Sequence, residues 1–453
     1  MLIYILIFIE IILLISTYYC FQKSFFSPSF VFLGGFLIAS ICAAFFQDKW
    51  GEILHWNSFV IYFVGFITFF ITSLSIHILY RNIRDKNNKN NNIPIRVIDN
   101  IEIPKTIYLV FTVIHIMAII FLVKRVRQTA AMYGTIGSWK ECIEKYRYIV
   151  AFTTNDVARI SKLAANMINI TKIGGFFWNV VFIYNFLCER RKISILALTN
   201  LILCIICDFL GGSRTGTIII LISSIVVFYV IWSKKNINKK KLPFKYVFRI
   251  CIILLLIVII FQFLGGLIGR NVDVSFAEYF AKYVGSPMKN LDVFMQQDHR
   301  RPEIWGKETF AYFINWIGNK TQNSNLIYSL DLPYIELNGF NMGNVYTTFY
   351  MFVYDFGLMG VIGCTAIMSA ISQIYYELAI GNNKSKIFNV IIYSMIVPQL
   401  ILSFFSNKFY ETFATYTFIQ RAIILVILIY LLLKYRVSFS NREIKIQRIN
   451  TII

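Results

Sequence analysis

Five consecutive residues, Gly211-Gly212-Ser213-Arg214-Thr215, concentrate groups that suit an anionic ligand. They separate two apolar stretches, so Arg214 opens the second of two helices, where the first backbone N–H groups lack intrahelical partners. Those donors, a Ser or Thr hydroxyl and the guanidinium converge on one point, which is the make-up of an anion site. A tight turn with an interfacial arginine is the plainer reading of the same residues. Arg270, just past Gly265-Gly266 and Gly269, stands at the equivalent end of the next apolar stretch and is a second candidate. Arg125, Arg127, Arg147, Arg159, Arg300 and Arg301 fall in the two longest polar segments assigned to the same side. A guanidinium donates two parallel hydrogen bonds to a phosphate and stays charged; reaching out to lipid headgroups is the alternative use of each.

The second stretch runs Gly343-Asn344-Val345-Tyr346-Thr347-Thr348-Phe349-Tyr350 and continues through Tyr354-Asp355-Phe356-Gly357-Leu358-Met359-Gly360. A positioned carboxylate can take the proton from an attacking hydroxyl, and Asp355 is the candidate. Asp208 and Glu411 are further carboxylates, for which ion pairing with Arg214, Arg270 or Arg421 is the plainer role. His299 is a weaker base candidate, and His115, on an apolar face, reads as a hydrogen-bonded packing residue. Tyr346, Tyr350, Tyr354, Trp305 and Trp316 could stack on sugar rings, although aromatic residues also anchor membrane interfaces.

These groups must be positioned by membrane helices. The chain is 57% hydrophobic and 15% charged, with mean hydropathy +0.64, and stretches long enough to cross a bilayer recur from end to end. We expect one all-α polytopic membrane domain over residues 1–453 with about eleven spans. They fall near 2–20, 29–46, 57–80, 106–123, 171–188, 193–210, from the 211–215 turn to about 233, from the basic loop ending at 245 to about 266, from the 343–360 motif to about 380, 387–405 and 418–433. The first is too long and lacks the basic start of a signal peptide. Its Glu10 is either functional or protonated against another helix. Residues 124–170 and 268–344 form the long polar loops, the larger lying between spans eight and nine, and its 276–283 and 310–317 pieces read as amphipathic surface helices. Lys and Arg concentrate at 81–105, 189–192, 234–245, 381–386 and the 434–453 tail, which puts these inside, the N-terminus outside and both long loops outside. Trp50 and Trp56, in a short outward loop, suit an interfacial belt.

The net charge of +21 is scattered over short loops and comes with no nucleic-acid motif, so membrane and lipid headgroups are its partners. Cys204 and Cys207 lie within one apolar stretch without nearby ligands and read as packing.

The Asn-Val-Tyr-Thr run followed by Tyr-Asp-Phe-Gly-x-x-Gly, together with Gly-Ser-Arg-Thr at 212–215, resembles the Wzy-type polymerases of O-antigen and capsule repeat units. The two islands cover only a few per cent of the chain, but the order of helices and loops agrees over nearly all of it. The resemblance implies GT-C-like membrane helices and a glycosyltransferase acting on undecaprenyl-pyrophosphate-linked oligosaccharides at the outer face of a bacterial plasma membrane. The growing glycan would pass to a fresh lipid-linked unit. On that reading Arg214 and Asp355 are catalytic, and Ser213, Arg214, Arg270, Arg147, Tyr346 and Tyr354 bind substrate. No cofactor or metal is expected, and a chain-length regulator is a further partner. An O-antigen ligase, a repeat-unit flippase and a non-catalytic receptor are the competing readings.

Overall fold

A computed structural model describes residues 1–90, 101, 103–152, 157–188, 194–212, 214–235, 243, 249, 252, 265–266, 275–297, 302–330, 332–381, 386–440 and 443–448. Ser213, Arg270, His299, Arg300, Arg301 and nearly all of the eighth expected span lie outside them. The described residues include eight helices long and apolar enough to cross a membrane, and two shorter apolar ones, Ile195–Leu210 and Tyr416–Leu432. The protein is a polytopic α-helical membrane protein.

The chain divides into two compact units interleaved in sequence, 1–92 with 273–377 and 396–418, and 93–272 with 378–395 and 419–453. The first unit holds α1 (Leu2–Cys20), α2 (Pro28–Phe45), the single turn α3 (Gln47–Trp50), α4 (Trp56–Asn90) and a long helix over Thr348–Tyr376 that lies along α4. Small residues make that approach close: a β-carbon on Gly65 would stand 2.4 Å from the Phe349 ring. Phe32, Phe36, Phe66, Phe69 and Phe349 fill the centre, with Phe32 stacked on Phe69 at 4.1 Å. Ser73 and Ser369 hydrogen-bond within it at 2.8 Å, a satisfied polar contact where lipid would offer none.

The first unit also carries the described part of the large polar segment. Phe276–Val284, capped by the Ser275 hydroxyl that accepts the Glu278 N–H, is the expected amphipathic helix. Ser286–Met295 departs from a surface role: it is buried along most of its length against α2 and α4. Ala311–Thr321 and a hairpin pairing Ile335–Leu337 with Phe340–Gly343 complete the described segment. Trp50 is no interfacial anchor: it is buried and stacked on Phe46 at 5.0 Å, because α3 folds it back into the unit. Trp56 is exposed.

The second unit is built on α5 (Lys105–Met132), α7 (Lys162–Cys188), α8 (Ile195–Leu210) and α9 (Arg214–Lys235), with α6 (Trp139–Phe152) laid against α5. The described parts of the polar 124–170 segment are thus largely helical, as the end of α5, all of α6 and the start of α7. Ser138 caps the start of α6: its Oγ accepts the Glu141 N–H and donates to Glu141 Oε1 at 2.8 Å. Its apolar stripe of Cys142, Ile143 and Tyr146 packs on Ala118, Leu122 and Val126 of α5. His115 is a packing residue, hydrogen-bonded to Thr171 and to the Trp178 indole N–H, both at 2.9 Å.

Candidate functional site

In the second unit, the α8–α9 turn draws together the predicted Arg214 and Arg147. Gly212 takes φ +80°, and a β-carbon there would stand 2.4 Å from Arg147 Cγ, so the glycine lets the stem of Arg147 cross the turn. Arg147 is delivered by α6, one turn after Ile143 of its packed face. Arg214 opens α9 and is buried at 2% exposure. Asp208 lies against the first turn of α9: a β-carbon on Gly216 would stand 3.2 Å from its carboxylate. There it complements the positive end of the helix dipole. Lys172 pairs with it at 3.9 Å, and Arg421 lies within electrostatic reach. Arg147 and Arg214 thus stand at this turn, and Lys172 and Arg421 act on Asp208 beside the first turn of α9.

In the first unit, Asp355 is buried and its carboxylate is already engaged. Oδ2 accepts the Thr309 N–H at 2.6 Å, and both oxygens lie 3.1 Å from the Glu308 N. Just beyond it Gly357, at φ +66°, ψ −154°, breaks the helix, a conformation that needs glycine. Asp355 thus fixes the turn at 308–309. The turn is held from its other side as well, by Asn407 Nδ2 on the Thr309 carbonyl at 3.3 Å and by the Tyr328 hydroxyl on the Lys307 carbonyl at 2.7 Å. The carboxyl so presented is Glu308, whose Oε2 has no hydrogen-bond partner among the described residues. Burial, then the nearby Asp355 charge, pushes it up to about 7. Nothing in the sequence around Glu308 marks it.

The aromatic candidates divide. Tyr346 is buried, its hydroxyl donating to the Pro333 carbonyl at 2.8 Å, and Tyr350 is buried beside it at 4.4 Å, so both are packing residues. Tyr354 is partly exposed and Trp305 is open at 78%. Trp316 stacks on Tyr416 at 4.6 Å. Glu411 pairs with Lys408 at 2.5 Å.

A third cluster surrounds Asp292, which is fully buried. Its Oδ1 accepts the His55 backbone N–H at 2.7 Å and the Ser58 hydroxyl at 2.9 Å; its Oδ2 meets His55 Nδ1 at 2.8 Å and Lys289 Nζ at 2.9 Å. His55 and Ser58 lie more than two hundred positions from Asp292 in the chain, a separation no local pattern bridges.

Fold and site together define a polytopic membrane protein with a buried basic turn in one unit and hydrogen-bonded carboxylates in the other. Compared with protein-family models, curated proteins and solved structures, the chain finds no match.

Proposed function

We propose that this protein is a membrane glycosyltransferase that polymerises undecaprenyl-pyrophosphate-linked oligosaccharide repeat units at the outer face of a bacterial plasma membrane. The observation that carries the reading is the basic turn, where buried Arg214 opens α9 and the stem of Arg147 crosses Gly212. A lipid pyrophosphate supplies the charge such a turn takes, and its departure from the sugar builds negative charge that guanidinium groups stabilise. In this reading the helices form a GT-C-type arrangement of about eleven spans, with the N-terminus outside and the C-terminus in the cytoplasm. Arg214 and Arg147 hold the pyrophosphate; Ser213 and Arg270 are assigned to the same task from the sequence. Asp355 holds the 308–309 turn, and Tyr354 and Trp305 offer aromatic faces to the glycan. The product chain grows on its carrier, and a chain-length regulator is the expected protein partner.

The test is surface-glycan length in a deletion strain complemented with wild type or Arg214→Ala. Single-unit glycans in the deletion, lengthened by wild type alone, support polymerisation. Loss of surface glycan with units retained inside points to a flippase, and long polymer stranded on its carrier points to a ligase.

A further inference from the structure

The buried residues of α1 are Ile3, Leu6, Glu10, Leu13 and Thr17, spaced three and four apart, so that one stripe of the helix faces the rest of its unit. Glu10 stands at the middle of that stripe, fully buried, where a leucine would pack with no polar atom to satisfy. Across from it α2 supplies the Ser40 hydroxyl, which donates to Oε1 at 2.9 Å. Oε2 is buried with no hydrogen-bond partner, and no lysine or arginine pairs with the carboxyl, among the described residues. A bare carboxylate is costly in such a place, and a carboxylic acid fits it. Glu10 is nevertheless joined to other polar groups of the unit. Ser40 Oγ also lies 3.3 Å from Met288 Sδ, and the Met288 carbonyl accepts the Tyr62 hydroxyl at 3.5 Å. Tyr62 is within electrostatic reach of both Glu10 and Asp292. One turn earlier on α4, Ser58 donates to Asp292 Oδ1 at 2.9 Å, and Asp292 Oδ2 meets Lys289 Nζ and the His55 ring. The His55 side chain is 42% exposed, so polar groups run from an open end of the unit to a carboxyl halfway along a membrane helix.

We infer that Glu10 is an exchangeable proton-binding site inside the membrane, filled and emptied from the His55 end of the unit along Asp292, Ser58 and Tyr62. The ligand is the proton itself. Bound, it leaves a neutral acid against Ser40; released, it leaves an unpaired charge among Ile3, Leu6 and Leu13, which offer it no hydrogen bond. Occupancy therefore bears on how α1 packs against α2 and α4. The titratable groups along the route are Tyr62 from α4, Asp292 and Lys289 from the buried helix Ser286–Met295, and His55 and Glu52 ahead of α4; α2 contributes Ser40. All of them lie in one unit. The inference does not rest on the polymerase reading. Its rival is a packing acid that keeps its proton as long as the unit stays folded.

The experiment uses the full chain in lipid nanodiscs, moved from light-water to heavy-water buffer while its infrared spectrum is recorded. A protonated carboxyl has a C=O stretch apart from that of the ionised form, and deuteration lowers its frequency. The Glu10 band is the one missing from Glu10→Gln, which keeps an oxygen for the Ser40 hydroxyl. We expect that band in wild type at neutral pH, and expect it to shift well before the backbone amides of α1 exchange. Tyr62→Phe removes one hydroxyl and keeps the ring in its packing. It leaves exchange to local opening of the unit and so slows the shift at least about tenfold. Asp292→Asn slows it likewise. A wild-type spectrum with no acid band that Glu10→Gln removes would mean an ionised carboxylate and overturn the assignment. A Glu10 band that shifts only as slowly as the α1 amides would establish the packing acid instead. Equal rates in wild type and Tyr62→Phe would overturn the route.

Discussion

Gly212 and Arg147 occupy one place: with φ +80° at the glycine, a β-carbon would lie 2.4 Å from Cγ and 2.7 Å from Cδ of the arginine. Gly212→Ala therefore carries two penalties, a left-handed backbone costing an L-residue roughly 1–2 kcal/mol and a displaced Arg147 stem. On the proposed function, chain growth falls at least about tenfold, a change worth about 1.4 kcal/mol in the barrier, with membrane abundance near wild type. Quantitative glycan profiling normalised to immunoblotted protein checks this.

Asp355 acts on the structure through the backbone of residues 308 and 309. Asp355→Ala removes the acceptor for two N–H groups, each bond to a charged group being worth roughly 1.5–3 kcal/mol. It should lower the melting temperature of the purified protein clearly, and Asp355→Asn, which keeps one amide oxygen, should lower it less. Equal melting temperatures for wild type and alanine would remove the clamp.

Glu308 gives a pH signature. Its carboxyl is pushed from 4.5 to about 7 in the folded protein, chiefly by burial, so the folded state binds the proton more tightly than the unfolded chain. Its contribution is fully present below about 4.5 and is lost as pH rises through about 7. Melting temperature should therefore fall across that window by more in wild type than in Glu308→Gln. Parallel curves for the two proteins would refute the shift.

His77 and Glu377 form a buried pair at 2.5 Å, with Gln373 Nε2 donating to the same carboxylate oxygen at 2.8 Å. Removing one partner strands the other away from water, at a cost of roughly 3–5 kcal/mol. His77→Leu and Glu377→Leu should each destabilise strongly, and the double variant by much less than their sum. A double-mutant cycle on thermal stability measures that coupling.

The spans were legible because hydrocarbon demands long apolar runs, and α1, Leu2–Cys20, begins and ends where its composition says. Helix ends were not. α5 continues to Met132 through Lys124, Arg125 and Arg127, since basic residues with long stems sustain a helix beyond the apolar stretch. The α8–α9 turn and Asp355 were visible as residue types. That Asp355 spends its oxygens on the 308–309 backbone was not, because only the fold brings position 355 to that turn. His55 and Asp292 escaped for the same reason, and Trp50 was misplaced because a tryptophan in a short loop looks alike whether it meets lipid or its own unit.

The central claim is that the basic turn holds the pyrophosphate of a glycan donor during polymerisation. Its most direct test is to count products from the purified protein supplied with lipid-linked repeat units. The account predicts one undecaprenyl pyrophosphate released for each new glycosidic bond, and loss of both products together in Arg214→Ala. Chain growth by Arg214→Ala at the wild-type rate, or bond formation without released pyrophosphate lipid, would contradict it.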